Sequence, residues 1–590
     1  MPSRLFTIIA PLPVALFCWL PPAGAQALGL RAAEIDSELR PLIQRYSADR
    51  GSVSRTYDIP MSRTASERMA RFYGEWLDSL EAIDFEQLSL EGQVDWLLFR
   101  NHLQHRLRTV AFEAERNREI LPLIPFAFRI VELAEAHQRM EPMDAEAAAT
   151  RLNELDRAIE EAQKELSKKL DEHQDFQPTV ANRAASRAGE LRRTLQSWHA
   201  FYDGYDPLFS WWTRAPYQSA HQALKDYAEF LRKRLVGGQG AGDPVIGDPI
   251  GREALLGDLA YEMIPYTPEE LIEEANRQFA WCDAEMLKAS NELGFGDDWR
   301  AAQQHVKSLH AKPGGQPELI RELAHEAVDF LEARELLTIP ELAKESWRRR
   351  MMSPERQKVS PYFLGGETIL ISFPTDQMEH DDKLMSMRGN NIHFARATVH
   401  HELIPGHHLQ GFMLDRHATW RRPFGTPFWL EGWALYWELR LWDLGFARSP
   451  EDRIGMLFWR KHRCARIIFS LSFHLERMTA QEAIDFLVER VGHERNNATA
   501  EVRRSVNGDY SPLYQCAYLL GGLQIRALHD ELVPSDEMGP PGTMDGRMTE
   551  RAFHDAVLQG HSMPIEMVRA RLTGRPLSRD HVPGWRFLDR

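Results

Sequence analysis

Helical periodicity runs through most of this 590-residue chain and constrains its fold more than any other feature. Apolar residues recur at three- and four-residue spacing among charges in residues 66–80, 144–170, 184–202, 220–235 and 268–293. The last of these opens on Thr267 with Glu270 three positions on, the spacing of a capping box. A helix with one apolar stripe buries it against other helices, so the pattern predicts a mostly α-helical protein. Two stretches interrupt it: VGGQGAGDPVIGDPIG at 236–251 and AKPGGQ at 311–316. Their glycines and prolines suit neither a helix nor a central strand. Helices of the same kind flank both, so they read as connections inside one helical body over residues 26–590, with a division into lobes near 310 left open. One segment differs. ETILISFP at 367–374 is β-branched and apolar, and predicts a short strand.

The first residues, MPSRLFTIIAPLPVALFCWLPPAGAQA, read as a secretory leader. Arg4 supplies the positive start, residues 5–20 the apolar run, and Ala23-Gly24-Ala25 the small-residue cleavage site. Pro11 and Pro13 interrupt a run already short for a membrane span. Cleavage after Ala25, a periplasmic or secreted protein and no lasting membrane insertion are expected. Cys282, Cys464 and Cys516 are too few and too widely spaced for a disulfide framework; one bridge or buried thiols both fit. The net charge of −15, with no basic stripe, argues against a nucleic-acid partner.

The chemistry concentrates in VHHELIPGHHLQG at 399–411. In the HExxH helix of zinc peptidases two histidines one turn apart meet one metal, and the glutamate between them faces the water. Here Pro405 stands where the second histidine belongs. At ~100° per residue, His407 would point roughly 120° away from His401 on an unbroken helix, and His408 would sit ~10 Å further along it. Pro405 cannot donate to the His401 carbonyl, and Gly406 tolerates dihedrals other residues avoid. A local bulge that absorbs two residues would bring His407 to the usual position of the second ligand; a different break would bring His408 instead. His400 and His393 read as supporting or surface groups.

A third ligand is expected on a later helix. FWLEGWALYWE at 428–438 places Glu431 on an aromatic face where an unpaired carboxylate is costly, and Glu438 two turns on also has the option of facing inward. Residues 419–427 supply the connecting loop. His401, His407 and Glu431 then form a three-ligand set that suits Zn²⁺ and leaves a fourth position for water, with Glu402 as general base. The expected activity is peptide hydrolysis, with 368–373 as an edge strand that pairs with an extended peptide substrate. An esterase or amidase on a non-peptide substrate would use the same chemistry. A non-catalytic metal- or peptide-binding protein would not need Glu402.

At these residues the chain resembles the bacterial DUF885 family, grouped with HExxH-type zinc peptidases. The family pattern HEAxPGHHxQ corresponds to His401, Glu402, Pro405, Gly406, His407, His408 and Gln410, with Leu403 in place of alanine. Its EGWALY block stands unaltered at Glu431 to Tyr436 and is similar to the glutamate-ligand segment of gluzincin aminopeptidases. The likeness runs from about Glu34 to the C-terminus and includes YTPEELIEEA at 266–275. It implies a large helical gluzincin-like metallopeptidase fold with a short strand beside the active-site cleft. Two looser blocks match RCARIIFSLSFH, which keeps Arg463, Arg466 and His474 but has Ser470 where aspartate is usual, and PLYQCAYLLG, which keeps Pro512, Tyr518 and Gly521. By this resemblance His474 and Tyr518 would polarise the substrate carbonyl.

Overall fold

Each segment marked by periodicity is a helix: Arg63–Glu81, Ala145–Asp171, Pro178–Tyr202, Pro207–Leu231 and Pro268–Glu292. The computed structural model describes residues 35–173, 175–237, 245–357, 365–508, 510–534 and 547–589. The leader expected over 1–25 and part of the 236–251 connection lie outside the described residues. Helix starts follow their caps. Asp144 accepts the Ala147 N–H. Thr267 and Glu270 form the reciprocal capping box the sequence predicts, an arrangement worth ~1 kcal/mol. The helix expected from 220 begins earlier, at Pro207, where Asp206 caps two N–H groups. Its first turns carry Trp211, 74% exposed, which obscures the apolar stripe.

Strand β1 (Arg348–Met351) pairs in parallel with β2 (Thr368–Ile371), Arg348 opposite Thr368 and Met351 opposite Ile371. Ile369 and Ile371 are buried against Ala395, Val399 and Leu403, so β2 is fastened to the helix that carries the HE pair. The main buried cluster draws residues from Leu39 through to Phe587. A second, formed by side chains such as Leu152, Leu191, Phe209 and Tyr227, draws on residues between Ile120 and Leu231 together with Met61. Cys282, Cys464 and Cys516 are buried free thiols. Among the described residues no helix is long and apolar enough to cross a membrane.

Two glycines set the position of the site. Helices Pro427–Asp443 and Tyr514–Leu532 pack backbone against backbone. A Cβ on Gly432 would lie 2.6 Å from Gly521, and one on Gly521 would overlap the Phe428 carbonyl. The glycine of EGWALY is thus a packing requirement. This close approach brings Glu431 against Tyr514.

Candidate metal centre

Helix Ile392–Glu402 is capped by Asn391, which accepts the His393 and Phe394 N–H groups, and it ends on the glutamate of the HE pair. Leu403 leaves the helix at φ −112°, ψ −101°, the Ile404–Pro405 bond is cis, and a new helix, His407–Leu414, begins four residues later. The expected bulge within one continuous helix is corrected: the chain makes two helices joined by a tight turn. Pro405 has no N–H to continue the ladder, and any Cβ on Gly406 would overlap the His401 carbonyl. The turn is closed by Gly406 N–H donating to His400 O (2.9 Å) and His408 N–H to Leu403 O (3.0 Å).

This break turns His407, not His408, toward His401. Their rings lie 4.8 Å apart and perpendicular. Glu431 Oε2 sits 3.6 Å from His401 Nε2 and 3.2 Å from His407 Nε2. One ligand atom from each residue lies within 4.8 Å of the others, so these three side chains could hold a metal ion. His408 Nε2 is 2.7 Å from the Ala343 carbonyl, on the far side of the turn.

Each of the three has an outer partner, which is how metal ligands are held in tautomer and orientation. His401 Nδ1 is 2.7 Å from Glu438 Oε1, which also lies 3.3 Å from Arg463 Nη2. His407 Nδ1 is 2.9 Å from Gln410 Oε1, and the Gln410 amide donates to the Leu430 carbonyl (2.9 Å). Tyr514 donates its hydroxyl to Glu431 Oε1 at 2.5 Å. His401 and Glu431 are only 2% and 6% exposed. Burial alone would neutralise the Glu431 carboxyl, yet the two imidazoles hold it well below the usual carboxylate range. Burial likewise opposes charge on His407, but Glu431 beside it wins and pushes the ring up to about 9.

The triad lies in a cleft of about 300 Å³ that Glu402, Tyr510, Tyr514, Tyr518 and several arginines also line. Glu402 is held at its backbone, where Gly366 N–H donates to the Glu402 carbonyl (3.1 Å). A Cβ on Gly365 would overlap the Glu402 carboxylate, so the lead-in to β2 closes over the glutamate. The Tyr518 ring stacks on His401 at 6.1 Å, with the guanidinium carbons of Arg463 and Arg466 4.7 and 4.5 Å from the ring centre. Burial, reinforced by the Glu431 charge, raises the Tyr518 hydroxyl well above its ordinary pKa and keeps it protonated.

His401, Glu402, His407, Glu431 and Tyr518 are therefore brought together. His474 is not. It lines a neighbouring cavity of about 740 Å³ with Arg116, Asp248 and Glu262, which shares Tyr510 with the cleft. Both its ring nitrogens are buried without a hydrogen-bond partner, and burial lowers its pKa to about 4. Sequence reasoning missed Tyr514, although it stands one helical turn before Tyr518, the spacing that puts two side chains on one face. It also missed the supporting role of Gln410 and left that of Glu438 open. A second group, His529, Glu550 and His554, also has the proximity to hold an ion. Its donors are already engaged: His554 meets the Leu336 carbonyl (2.7 Å) and the Tyr436 hydroxyl (2.8 Å), and Glu550 pairs with Arg440. That network anchors Tyr436 of EGWALY.

Fold and site together define a mostly helical protein with a largely buried histidine–histidine–glutamate cluster, able to hold a metal ion, in a cleft. The chain belongs to the DUF885 family, described as a bacterial protein of unknown function, whose pattern matches residues 47–572. It is similar in structure to "a putative lipoprotein of unknown function from Shewanella oneidensis", with TM-score 0.66 and 16% identity over 90% of this chain and 98% of that one. It is also similar to "the putative lipoprotein from Colwellia psychrerythraea", with TM-score 0.56 and 14% identity over 91% of this chain and 97% of that one. At such identities the likeness is one of fold. No curated protein matches the chain.

Proposed function

We propose that this protein is an exported zinc-dependent metallohydrolase that cleaves peptide bonds, with a gluzincin-like catalytic arrangement. The observation that carries the reading is the convergence of His401 and His407 Nε2 on Glu431, with Glu402 adjacent to a ligand and in the same cleft. The donor set fits zinc: two imidazoles and a carboxylate leave one position open, as in catalytic zinc sites. Glu431 Oε2 is buried and faces both imidazoles without forming a hydrogen bond, as expected of donors turned toward a shared ion.

His401, His407 and Glu431 would hold the ion, which when bound supplies Lewis acidity for a scissile carbonyl and lowers the pKa of water at the site. Glu402 takes the proton of the attacking water and returns it to the leaving amine. Tyr518, kept protonated by its surroundings, donates to the oxyanion. Tyr514 fixes the second oxygen of Glu431 and so orients the first. His474 has no part in this scheme. β2, whose only strand partner among the described residues is β1, offers its other edge to an extended peptide. The leader-like first residues and the lipoprotein descriptions of the structural relatives support an exported site of action.

The test is Glu402→Gln. This variant should keep zinc and fold while hydrolysis of a peptide mixture falls by roughly 10²–10⁴-fold. A variant as active as the native protein would overturn the mechanism.

A further inference from the structure

We propose that the arginine wall of this cleft binds the terminal carboxylate of the peptide, so that the enzyme cuts short peptides close to a free C-terminus. The inference rests on the peptidase reading and adds to it a substrate class.

Charge balance in the cleft points to an anion that the protein does not supply. Arg356, Arg463, Arg466 and Arg504 line it, against Glu402, Glu431 and Glu501. Glu402 and Glu431 face the metal position. Arg463 has Glu438 below it. Glu501 is left to serve two guanidinium groups: Arg466 through Nε at 2.7 Å and Arg504 through Nε at 3.1 Å. Both arginines thus meet this carboxylate through Nε, and one carboxylate cannot neutralise two cations. Arg466 is 3% exposed, and its Nη1 is buried with no hydrogen-bond partner. Excess positive charge at such depth is costly unless an anion arrives. Arg504, with a quarter of its side chain accessible, borders the open part of the cleft. A planar guanidinium pair is the preferred receptor for a carboxylate.

Distance sets where the cut would fall. The Tyr518 ring joins the two sites, 6.1 Å from the His401 ring and 4.5 Å from the Arg466 guanidinium. The Arg466 guanidinium therefore lies within about 11 Å of the His401 ring, a span of roughly three extended residues at ~3.5 Å each. Hydrolysis there consumes one water: the C–N bond breaks, a C–O bond forms, and Glu402 carries the proton to the released amine. The product is one to three residues from the C-terminal end.

The experiment uses zinc-loaded full-length protein and two peptide mixtures, N-acetylated tetrapeptides randomised at every position with either a free or an amidated C-terminus. Binding is read on the Glu402→Gln variant, and hydrolysis on the native protein. Free acids should bind roughly 10- to 100-fold more tightly than amides, the worth of hydrogen bonds to a charged group. Adding Arg504→Gln should erase that difference with zinc content unchanged, and Arg504→Lys should restore part of it. Acids and amides bound equally, neither bound, or Arg504→Gln weakening both alike would overturn the proposal. Acid-selective binding without hydrolysis by the native protein would refute the peptidase reading alone. Hydrolysis without acid selectivity would refute the carboxylate site alone.

Discussion

Glu438→Gln should weaken zinc binding without changing the set of ligands. Glu438 is 7% exposed and lies 2.7 Å from His401 Nδ1 and 3.3 Å from Arg463 Nη2. A carboxylate this close to Nδ1 favours a proton on that nitrogen, which would leave the Nε2 lone pair for the metal and make it more basic. Glutamine fills the same volume and can still accept from Nδ1, but it lacks the charge. Loss of such an outer partner typically costs 10–100-fold in metal affinity, or about 1.4–2.7 kcal/mol. A second effect follows from Arg463, which keeps its buried charge and loses its carboxylate. Breaking a buried pair in this way costs as much as ~3–5 kcal/mol of stability. The two effects separate experimentally. Zinc affinity is measured by competition with a chromophoric chelator on folded metal-free protein, and stability by urea unfolding of the same sample. A folded variant that binds zinc as tightly as the native protein would refute the assignment of Glu438 as the partner that orients His401.

Gly406→Ala places a Cβ against the His401 carbonyl, so the turn must open; chelator competition should show most of the zinc affinity lost, with stability down by ~1–3 kcal/mol. Tyr514→Phe removes the donor to Glu431 Oε1 and should lower zinc affinity by roughly tenfold, the worth of one hydrogen bond to a charged group, with the far-ultraviolet circular dichroism unchanged. Burial holds His102, His493 and His554 neutral down to about pH 3 in the folded protein, whereas the unfolded chain protonates them near 6.5. The stability they confer is complete above pH 6.5 and is lost as pH falls toward 3; urea midpoints of metal-free protein should drop steeply between pH 6 and 4, by about 2 kcal/mol or more per histidine.

The helices were legible because their signal is local. Apolar spacing and the Asp144 and Thr267 caps act within a few residues, and the structure places elements where they predict. Strand β1 was not legible: RRRM is exposed along its length and carries no alternation, so only its pairing with β2 makes it a strand. At the candidate site the sequence pointed to His401, His407 and Glu431, which the structure brings together, but not to the backbone path. Pro405 and Gly406 announced an interruption, yet bulge and break differ in hydrogen bonds that depend on packing against Trp433, whose indole donates to the Pro405 carbonyl (2.8 Å). His474 was carried by resemblance. It shares the Pro450–His474 helix with Arg463, eleven residues on, and so projects from nearly the same face but ~16 Å further along the axis, at the neighbouring cavity. Tyr514 gave no motif, because its role depends on the approach of two helices at Gly432 and Gly521.

Metal content is the most direct measure of the three proposed ligands. Native protein, purified without chelators and analysed by inductively coupled plasma mass spectrometry, should carry about one zinc per chain, the stoichiometry of a single three-ligand site. His401→Ala, His407→Ala and Glu431→Ala should each lose it, while His408→Ala, whose ring meets the Ala343 carbonyl, should keep it. Full zinc in the folded His407→Ala protein, or its loss from His408→Ala alone, would contradict the site.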